Sequence, residues 1–174
     1  MPSYNLRFQG VNYMNIWKSK NWQNYIETKK YNLRTGLRLN FQKGVDCEVR
    51  RACIEFANWL RSQYYFPIRV PVYFKSSRYL KTQLGELVSA KFFEPYDKMV
   101  EPYISIATGD IKDIELKYGK DEAIAAVLCS LIHELTHYYQ WINNVILSDK
   151  QAERQAVFYK RKIIQEYAMT REHP

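Results

Sequence analysis

The segment from Asp121 to about Asn143 is the feature that most constrains the fold of this chain. Its apolar residues recur three and four positions apart along one side, and few polar residues occupy the other sides. This pattern predicts a long, mostly buried helix with an acidic first turn and a break at Asn143-Asn144. The apolar positions that carry the pattern are Ala123, Ile124, Ala126, Val127, Leu128, Cys129, Leu131, Ile132, Leu135, Tyr138, Trp141 and Ile142.

Two histidines and a glutamate interrupt this apolar helix, in the order His133-Glu134-Leu135-Thr136-His137. Buried polar side chains need partners, because a polar group that leaves water without a new hydrogen bond is costly. Four residues of a helix turn through about 400°, so the two imidazoles lie within about 40° of each other on one face. That geometry lets both rings bind one Zn²⁺, with Glu134 beside the open coordination position. The alternative is a histidine pair that faces solvent or the core without a metal ion.

A catalytic zinc ion usually has three protein ligands, so a third ligand must come from elsewhere in the chain. The chain has three histidines, and the remaining one, His173, lies in the terminal tail, 36 residues after His137. The best carboxylate is Glu153, which follows His137 by 16 residues. We predict Glu153 as the third ligand, with Asp149 as the leading alternative. In the competing interpretation Glu153 is a solvated surface acid.

The residues around Glu153 predict a second helix that starts at Ser148. Ser148 and Gln151 fit a capping box, in which each side chain satisfies the backbone N–H of the other residue. A tight turn after the first helix would bring this second helix back antiparallel to it. The small side chain of Ala156 lies on the same face as Glu153 and permits the close approach that a carboxylate ligand needs.

The remaining segments predict an α+β fold with a small sheet. Residues 46–64 have the apolar spacing of a helix, with Asp46 in the N-cap position. Residues 66–74, 87–93 and 103–107 are rich in β-branched and aromatic residues and predict three short strands. We expect a three-stranded mixed or antiparallel sheet that packs on this N-terminal helix, on the histidine-bearing helix and on the C-terminal glutamate helix. Two prolines make the first strand an edge strand or irregular at its start.

The first 43 residues carry most of the net charge of the chain. They hold eight basic residues and one acid, for +7, whereas residues 44–174 hold 18 basic and 17 acidic residues, for +1. Aromatic residues alternate with these cations, a pattern that can bind nucleic acid through phosphate contacts and base stacking. The favoured interpretation is an arm or hairpin whose rings pack on the main body, and residues 33–41 alternate like a half-buried strand. We therefore divide the chain into a basic aromatic arm, 1–43, and a main domain, 44–174.

The amino-acid composition limits which class of protein this chain can be and which cellular compartment we expect for it. The 174 residues are 47% hydrophobic and 16% aromatic, which excludes a disordered chain and fits one domain. The odd number of cysteines, Cys47, Cys53 and Cys129, disfavours a disulfide framework and favours a reducing compartment. Neither a signal-peptide pattern nor an apolar run of about 18 residues occurs, so we expect a cytoplasmic protein with no membrane partner. Cys129 lies one turn before His133; we interpret it as a small buried side chain, with a thiolate ligand or inhibitory group as the alternative.

The two helices together resemble the gluzincin pattern of zinc metallopeptidases, which has HExxH on one helix and an ExxA-type glutamate on the next. The matching residues are 133–137 and Glu153-Arg154-Gln155-Ala156. Residues 65–168, with strands before the HExxH helix and a glutamate helix after it, resemble the minimal members of that class, and the ImmA/IrrE-type peptidases most closely. SprT-like proteases are similar in their His-Glu-Leu-x-His helix followed by a tryptophan, here Trp141, but their third ligand is a histidine.

This resemblance implies a zincin-like fold and a zinc-dependent metallopeptidase with a narrow set of intracellular protein or peptide substrates. It implies that His133, His137 and Glu153 bind Zn²⁺. Glu134 would be the general base that takes a proton from the zinc-bound water and passes it to the leaving amine. The strand 103–107 would be the edge strand that aligns an extended substrate. A hydroxyl or a cation is expected to stabilise the oxyanion; the candidates are Tyr138, Tyr139, Tyr159 and Arg154.

Two other functions fit the same sequence. The basic aromatic arm, residues 1–43, is compatible with a protease that nucleic acid recruits, as in SprT-like proteins. A zinc-stabilised binding or structural protein without turnover is the second alternative. Glu134 favours an enzyme over that second alternative, because a purely structural metal site needs no base.

Overall fold

The computed structural model describes residues 15–26 and 33–171 of the chain. Within these ranges the protein has an α+β fold with four α-helices, a mixed sheet of four strands and a separate antiparallel pair. The helices are α1 (Cys47–Gln63), α2 (Ile111–Tyr118), α3 (Lys120–Ile142) and α4 (Asp149–Met169), and a short 3-10 helix spans Asn21–Asn24. The strands are β1 (Leu37–Phe41), β2 (Val70–Lys75), β3 (Leu80–Lys81), β4 (Leu87–Val88), β5 (Ala90–Phe93) and β6 (Tyr103–Ala107).

Local signals in the sequence explain where the helices begin. Asp46 caps α1, because its Oδ1 accepts hydrogen bonds from the backbone N–H groups of Glu48 and Val49 at 2.8 and 3.3 Å. Ser148 and Gln151 form the predicted capping box at the start of α4, with hydrogen bonds of 2.9 and 3.3 Å. The long helix α3 agrees with its predicted bounds to within one residue at each end.

The apolar pattern does not predict α2, because Ile111 is its only buried residue. Gly119 separates α2 from α3 and has a φ of 92°. A residue with a Cβ atom rarely adopts that conformation, so glycine allows the chain to leave one helix and enter the next directly.

The main sheet has the strand order β1-β2-β6-β5. β1, β2 and β6 are parallel, whereas β5 is antiparallel to β6. The expected three strands become four, because β1 pairs along its whole length with β2. The expected strand 87–93 is divided at Ser89, since β4 pairs with β3 and β5 joins the main sheet. β2 is an interior strand, so the predicted irregular start before Val70 is right and the edge alternative is wrong.

The edge strand on the β6 side of the sheet is β5. We expected residues 103–107 to be that edge, and this prediction is wrong, because β6 lies between β2 and β5. The register pairs Ala90 with Ile106 and Phe92 with Ile104, so β5 covers the side of β6 that the prediction left open. The residue types of a strand predict whether it is buried, but they do not determine which other strand pairs with it.

The core lies between the sheet and the helices. α1 and α3 pack against the sheet, and α4 packs against α3. The inward sheet residues include Val70, Val72 and Phe74 of β2, and none of these is accessible to solvent. None of the helices in the described part of the chain is long and apolar enough to cross a membrane.

The described part of residues 1–43 packs on the body of the protein. Trp17 is 2% exposed, and its Nε1–H donates to Thr136 Oγ1 of α3 at 3.1 Å. The backbone N–H of Ile16 donates to Tyr159 Oη of α4 at 3.2 Å, and that of Trp22 donates to Asn143 Oδ1 at 3.0 Å. For residues 15–26 and for β1 the favoured packing interpretation is therefore confirmed. The basic and aromatic residues of positions 1–14 and 27–32 lie outside the described residues, as does His173.

Candidate metal centre

The helices α3 and α4 bring His133, His137 and Glu153 to one point. The Nε2 atoms of the two histidines are 3.3 Å apart. Glu153 Oε2 lies 3.0 Å from His133 Nε2, and Glu153 Oε1 lies 3.0 Å from His137 Nε2. Among the described residues, these three form the one group of histidine, cysteine or acidic side chains arranged closely enough to hold a metal ion.

Gln140 fixes the tautomer of His137. The Gln140 Nε2 group donates to the backbone carbonyl of Ala152 at 3.1 Å, so its Oε1 must face the other way. Oε1 lies 2.8 Å from His137 Nδ1, which therefore carries the ring proton. In the neutral ring, Nε2 then presents a lone pair to the Glu153 carboxylate, which also can only accept.

These acceptor atoms need a cation between them. A lone pair on His137 Nε2 and the carboxylate of Glu153 repel each other unless a proton or a metal ion lies between them. Two ligands bound at about 2.1 Å to a tetrahedral ion lie about 3.4 Å from each other, close to the observed spacing of the two histidine nitrogens. The three side chains thus fit a divalent cation in the number, type and spacing of their donor atoms.

The close packing of α3 on α4 makes this arrangement possible. Ala156, one turn after Glu153, has no exposed surface, as its predicted role at the helix contact requires. Gln140 adds a polar link, since its Nε2 also donates to Gln155 Oε1 of α4 at 2.9 Å. Sequence reasoning missed Gln140, although it lies three residues after His137 on the same face, a spacing at which helical side chains meet.

Glu134 lines the same cavity as the three ligands. The cavity has a volume of about 510 Å³ and is bounded by α3, by the start of α4 and by β5. Glu134 is 8% exposed, and this burial raises the pKa of its carboxyl group to about 7, an effect that the neighbouring His137 opposes. Burial also lowers the pKa of His133, which favours the neutral form that binds metals.

The other proposed ligands do not join the cluster. Asp149 lines the cavity but lies outside the group of converging ligand atoms. Cys129 is partly buried and also lies outside it, and burial raises the pKa of its thiol, as expected for a small side chain in an apolar place.

None of the four predicted oxyanion-binding residues lines the cavity in this structure. Tyr138 Oη donates to the backbone carbonyl of Ile68 at 2.6 Å, and Tyr139 Oη donates to that of Tyr65 at 2.9 Å. Tyr159 Oη accepts from Ile16 N–H. These tyrosines face the core, because they lie on the sides of the helices that pack against the rest of the protein. The fourth candidate, Arg154, is exposed.

In the part of the chain that the structure describes, no strand pairs with the outer edge of β5, and this edge runs along the cavity. Ala107 N–H donates to Ser89 C=O at 2.8 Å, directly before the first register pair of β5 and β6, Ala90 with Ile106. Hydrogen-bonded and non-hydrogen-bonded pairs alternate in an antiparallel ladder. The backbone N–H and C=O groups of Ala90 and Phe92 therefore point away from β6, and both residues line the cavity.

No protein-family model, curated protein or solved structure matches this chain. The chemical interpretation of the site therefore rests on its own geometry.

Proposed function

We propose that this protein is a zinc-dependent metallopeptidase with a zincin-like site, which hydrolyses peptide bonds in a narrow set of intracellular proteins. The observation that carries the proposal is the position of Glu134 in the same cavity as the three converging ligands. A structural metal site needs ligands alone, whereas a hydrolase also needs a base within reach of a water molecule.

Each residue of the site has a role in this proposal. His133, His137 and Glu153 hold the ion, and Gln140 keeps the Nε2 lone pair of His137 directed at it. When bound, Zn²⁺ supplies Lewis-acid polarisation of the scissile carbonyl and of the attacking water molecule. Glu134 removes the proton from that water and delivers it to the leaving amine.

The free edge of β5 supplies a way to align an extended substrate. A peptide that pairs with Ala90 and Phe92 would extend the sheet by one strand and lie along the cavity. Backbone hydrogen bonds hold such a peptide without regard to its sequence, so selectivity must come from its side chains. This mode of binding supports a protein or peptide as the substrate.

The test of this proposal is a comparison of the wild type with Glu134→Gln. The metal content of each purified protein is measured by elemental analysis, and cleavage is followed by mass spectrometry of peptide libraries made from whole-cell protein. We expect Glu134→Gln to keep one Zn²⁺ per chain and to lose at least about 99% of its cleavage rate, since general-base catalysis contributes roughly 10²–10⁴-fold.

Glu122→Gln is the matched control, because Glu122 is an exposed glutamate of the same helix. It should retain both metal and cleavage. If Glu134→Gln cleaves as fast as the wild type, the proposed role of Glu134 fails. A wild type that binds one Zn²⁺ per chain and cleaves nothing in the library would instead support the non-catalytic, zinc-stabilised binding protein.

A further inference from the structure

The face of the sheet that is turned away from α1 and α3 carries a row of aromatic rings. Successive strand residues point to opposite faces, and Val70, Val72 and Phe74 of β2 point inward, so Tyr73 points outward. By the same alternation Tyr103 of β6 and Phe93 of β5 also point outward. Tyr73 is 38% exposed and Phe93 is 41% exposed, which is unusual for large rings on a sheet.

The three rings form a continuous surface across neighbouring strands. The Phe93 and Tyr103 rings are stacked, with their centroids 4.9 Å apart and their planes inclined by 19°. The Tyr73 ring meets the Tyr103 ring edge-on at 6.1 Å. Because the rings pack on each other, their positions are fixed, and the exposed parts of Tyr73 and Phe93 are open to a further flat group.

Several basic residues share the outer face of the sheet with these three rings. The outward positions of the strands include Arg38 of β1, Lys75 of β2 and Lys91 of β5, and none of the outward strand residues is acidic. Lys75 Nζ lies 5.4 Å from the centroid of the Tyr73 ring. The cations at this face therefore have no carboxylate partner on the strands that carry them.

More cations lie at the end of the sheet where Tyr103 begins β6. Arg34 and Arg69 both contact Glu101, at 3.1 and 3.0 Å, so two cations share one acid. The Arg34 side chain is 66% exposed, so its guanidinium group is open to solvent. This end of the face therefore carries two further guanidinium groups in addition to the cations along the strands.

We propose that this outer face of the sheet binds single-stranded nucleic acid. Exposed rings held at fixed positions can stack on unpaired bases, and cations placed around them can contact the phosphates. Duplex nucleic acid fits less well, because its bases are already stacked and paired. This proposal concerns a surface on the opposite side of the sheet from the metal centre, and it does not depend on the peptidase activity.

The test is a titration of the full chain into a fluorescent oligonucleotide of about 12 nucleotides, with separate arms for oligo-U, oligo-dT and a duplex of the same length. We expect the wild type to bind the single strands with a Kd below about 100 μM near physiological salt, and to bind the duplex less tightly. Its affinity should fall as the salt concentration rises, because binding to phosphates releases counterions.

Two variants locate the interface. Tyr73→Ala with Phe93→Ala should raise the Kd for single strands about tenfold or more, because stacking on two rings is lost. Arg38→Gln with Lys75→Gln should weaken binding and reduce the steepness of the salt dependence. The matched controls are Phe158→Ala and Arg161→Gln, an exposed ring and an exposed cation of α4, and these should leave the Kd unchanged.

Three outcomes overturn the proposal. Absence of single-strand binding by the wild type is the first, and equal Kd values for the sheet variants and the α4 controls are the second. The third is self-association of the wild type that the ring variant abolishes, without any nucleic-acid binding, which would assign the face to a second copy of the chain. Circular dichroism and zinc content of each variant show that its fold and metal centre are intact.

Discussion

Gln140 connects the two halves of the metal centre through a single amide group. Its Oε1 faces His137 Nδ1, and its Nε2 faces the Ala152 carbonyl and the Gln155 side chain on α4. The amide therefore orients one candidate metal ligand, His137, and also holds the helix that carries another, Glu153. Groups that orient metal ligands in this way typically influence metal affinity strongly, although they do not touch the ion.

We predict that Gln140→Ala lowers the affinity for Zn²⁺ by about 10–100-fold, because His137 loses the acceptor that fixes its tautomer. The measurement is a competition titration against a chromophoric chelator. Gln155→Ala is the control, because it removes only the amide contact to Gln140 and leaves the His137 hydrogen bond in place. Equal affinities of Gln140→Ala and the wild type would show that Gln140 does not orient the ligand.

Thr136 lies inside the HExxH sequence but faces away from His133 and His137, and it links α3 to residues 15–26. Its hydroxyl donates to the Ile132 carbonyl at 2.9 Å and accepts from Trp17 Nε1–H at 3.1 Å. Thr136 and Trp17 are both buried, so the indole N–H has no access to water as a replacement partner.

We predict that Thr136→Val destabilises the protein by about 1–3 kcal/mol, because it leaves the buried Trp17 N–H without an acceptor. Urea unfolding followed by circular dichroism measures this change in the free energy of unfolding. Ser130→Ala is the control, since the Ser130 hydroxyl also bonds to the helix backbone but has no partner from residues 15–26. A loss no larger than that of Ser130→Ala would contradict the assigned role of the indole hydrogen bond.

At the scale of the elements, the distance between α3 and α4 decides whether a metal centre exists. The two histidines belong to α3 and Glu153 belongs to α4. Moving the helices apart by even a small distance would therefore take Glu153 away from the histidines. Ala156 is fully buried at this contact, where a larger side chain has no room.

We predict that Ala156→Leu costs about 1–3 kcal/mol of stability through overpacking. We also predict that it weakens Zn²⁺ binding, because it moves Glu153 away from the two histidines. Both quantities are measured on the same protein, by urea unfolding and by chelator competition. Ala168→Leu, an exposed position on the same helix, should change neither. Unchanged metal affinity in Ala156→Leu would mean that the contact does not position Glu153.

The elements also separate the two proposed surfaces. β5 contributes Ala90, Lys91 and Phe92 to the lining of the metal-centre cavity, and by the alternation of the strand the side chains of Lys91 and Phe93 point to the outer face of the sheet. One edge strand of four residues therefore takes part in both surfaces.

At the scale of the whole molecule, metal binding and folding should be linked. The ligands come from two helices that meet only in the folded protein, so an ion that binds them stabilises the native state. We predict that a chelator lowers the free energy of unfolding by about 2.7 kcal/mol relative to protein in free Zn²⁺ at 100 times its Kd.

Thermal or urea unfolding with and without the chelator measures this linkage. His133→Ala is the control, because it lacks a ligand, and its stability should not depend on the chelator. If the chelator destabilises His133→Ala as much as the wild type, the ion acts at another place in the protein.

Several parts of this architecture follow from the sequence. The apolar spacing in residues 121–143 predicts α3, and the Ser148–Gln151 pair predicts the start of α4. Because the chain has only three histidines, we predict a carboxylate, Glu153, as the third ligand. The structure brings that residue to the two histidines. These predictions succeed because helical spacing and capping depend on residues close together in the chain.

The pairing of the strands and the surroundings of the site depend on contacts between distant residues. The sequence predicts a strand at 103–107 but not that β5 covers its edge, because pairing is decided by which strands meet during folding. It also leaves open which tyrosine hydroxyls reach the cavity, and tertiary packing turns Tyr138 and Tyr139 toward backbone carbonyls of the core.

The sequence by itself determined the histidine-bearing helix, the glutamate-bearing helix and the types of side chain that they bring to the candidate site. Only the tertiary structure decided that the two helices approach closely enough to share an ion, that Gln140 orients His137, and that the free edge of β5 borders the cavity. Local spacing sets which residues share a face of one helix, whereas the distance between two helices is set by every side chain packed between them.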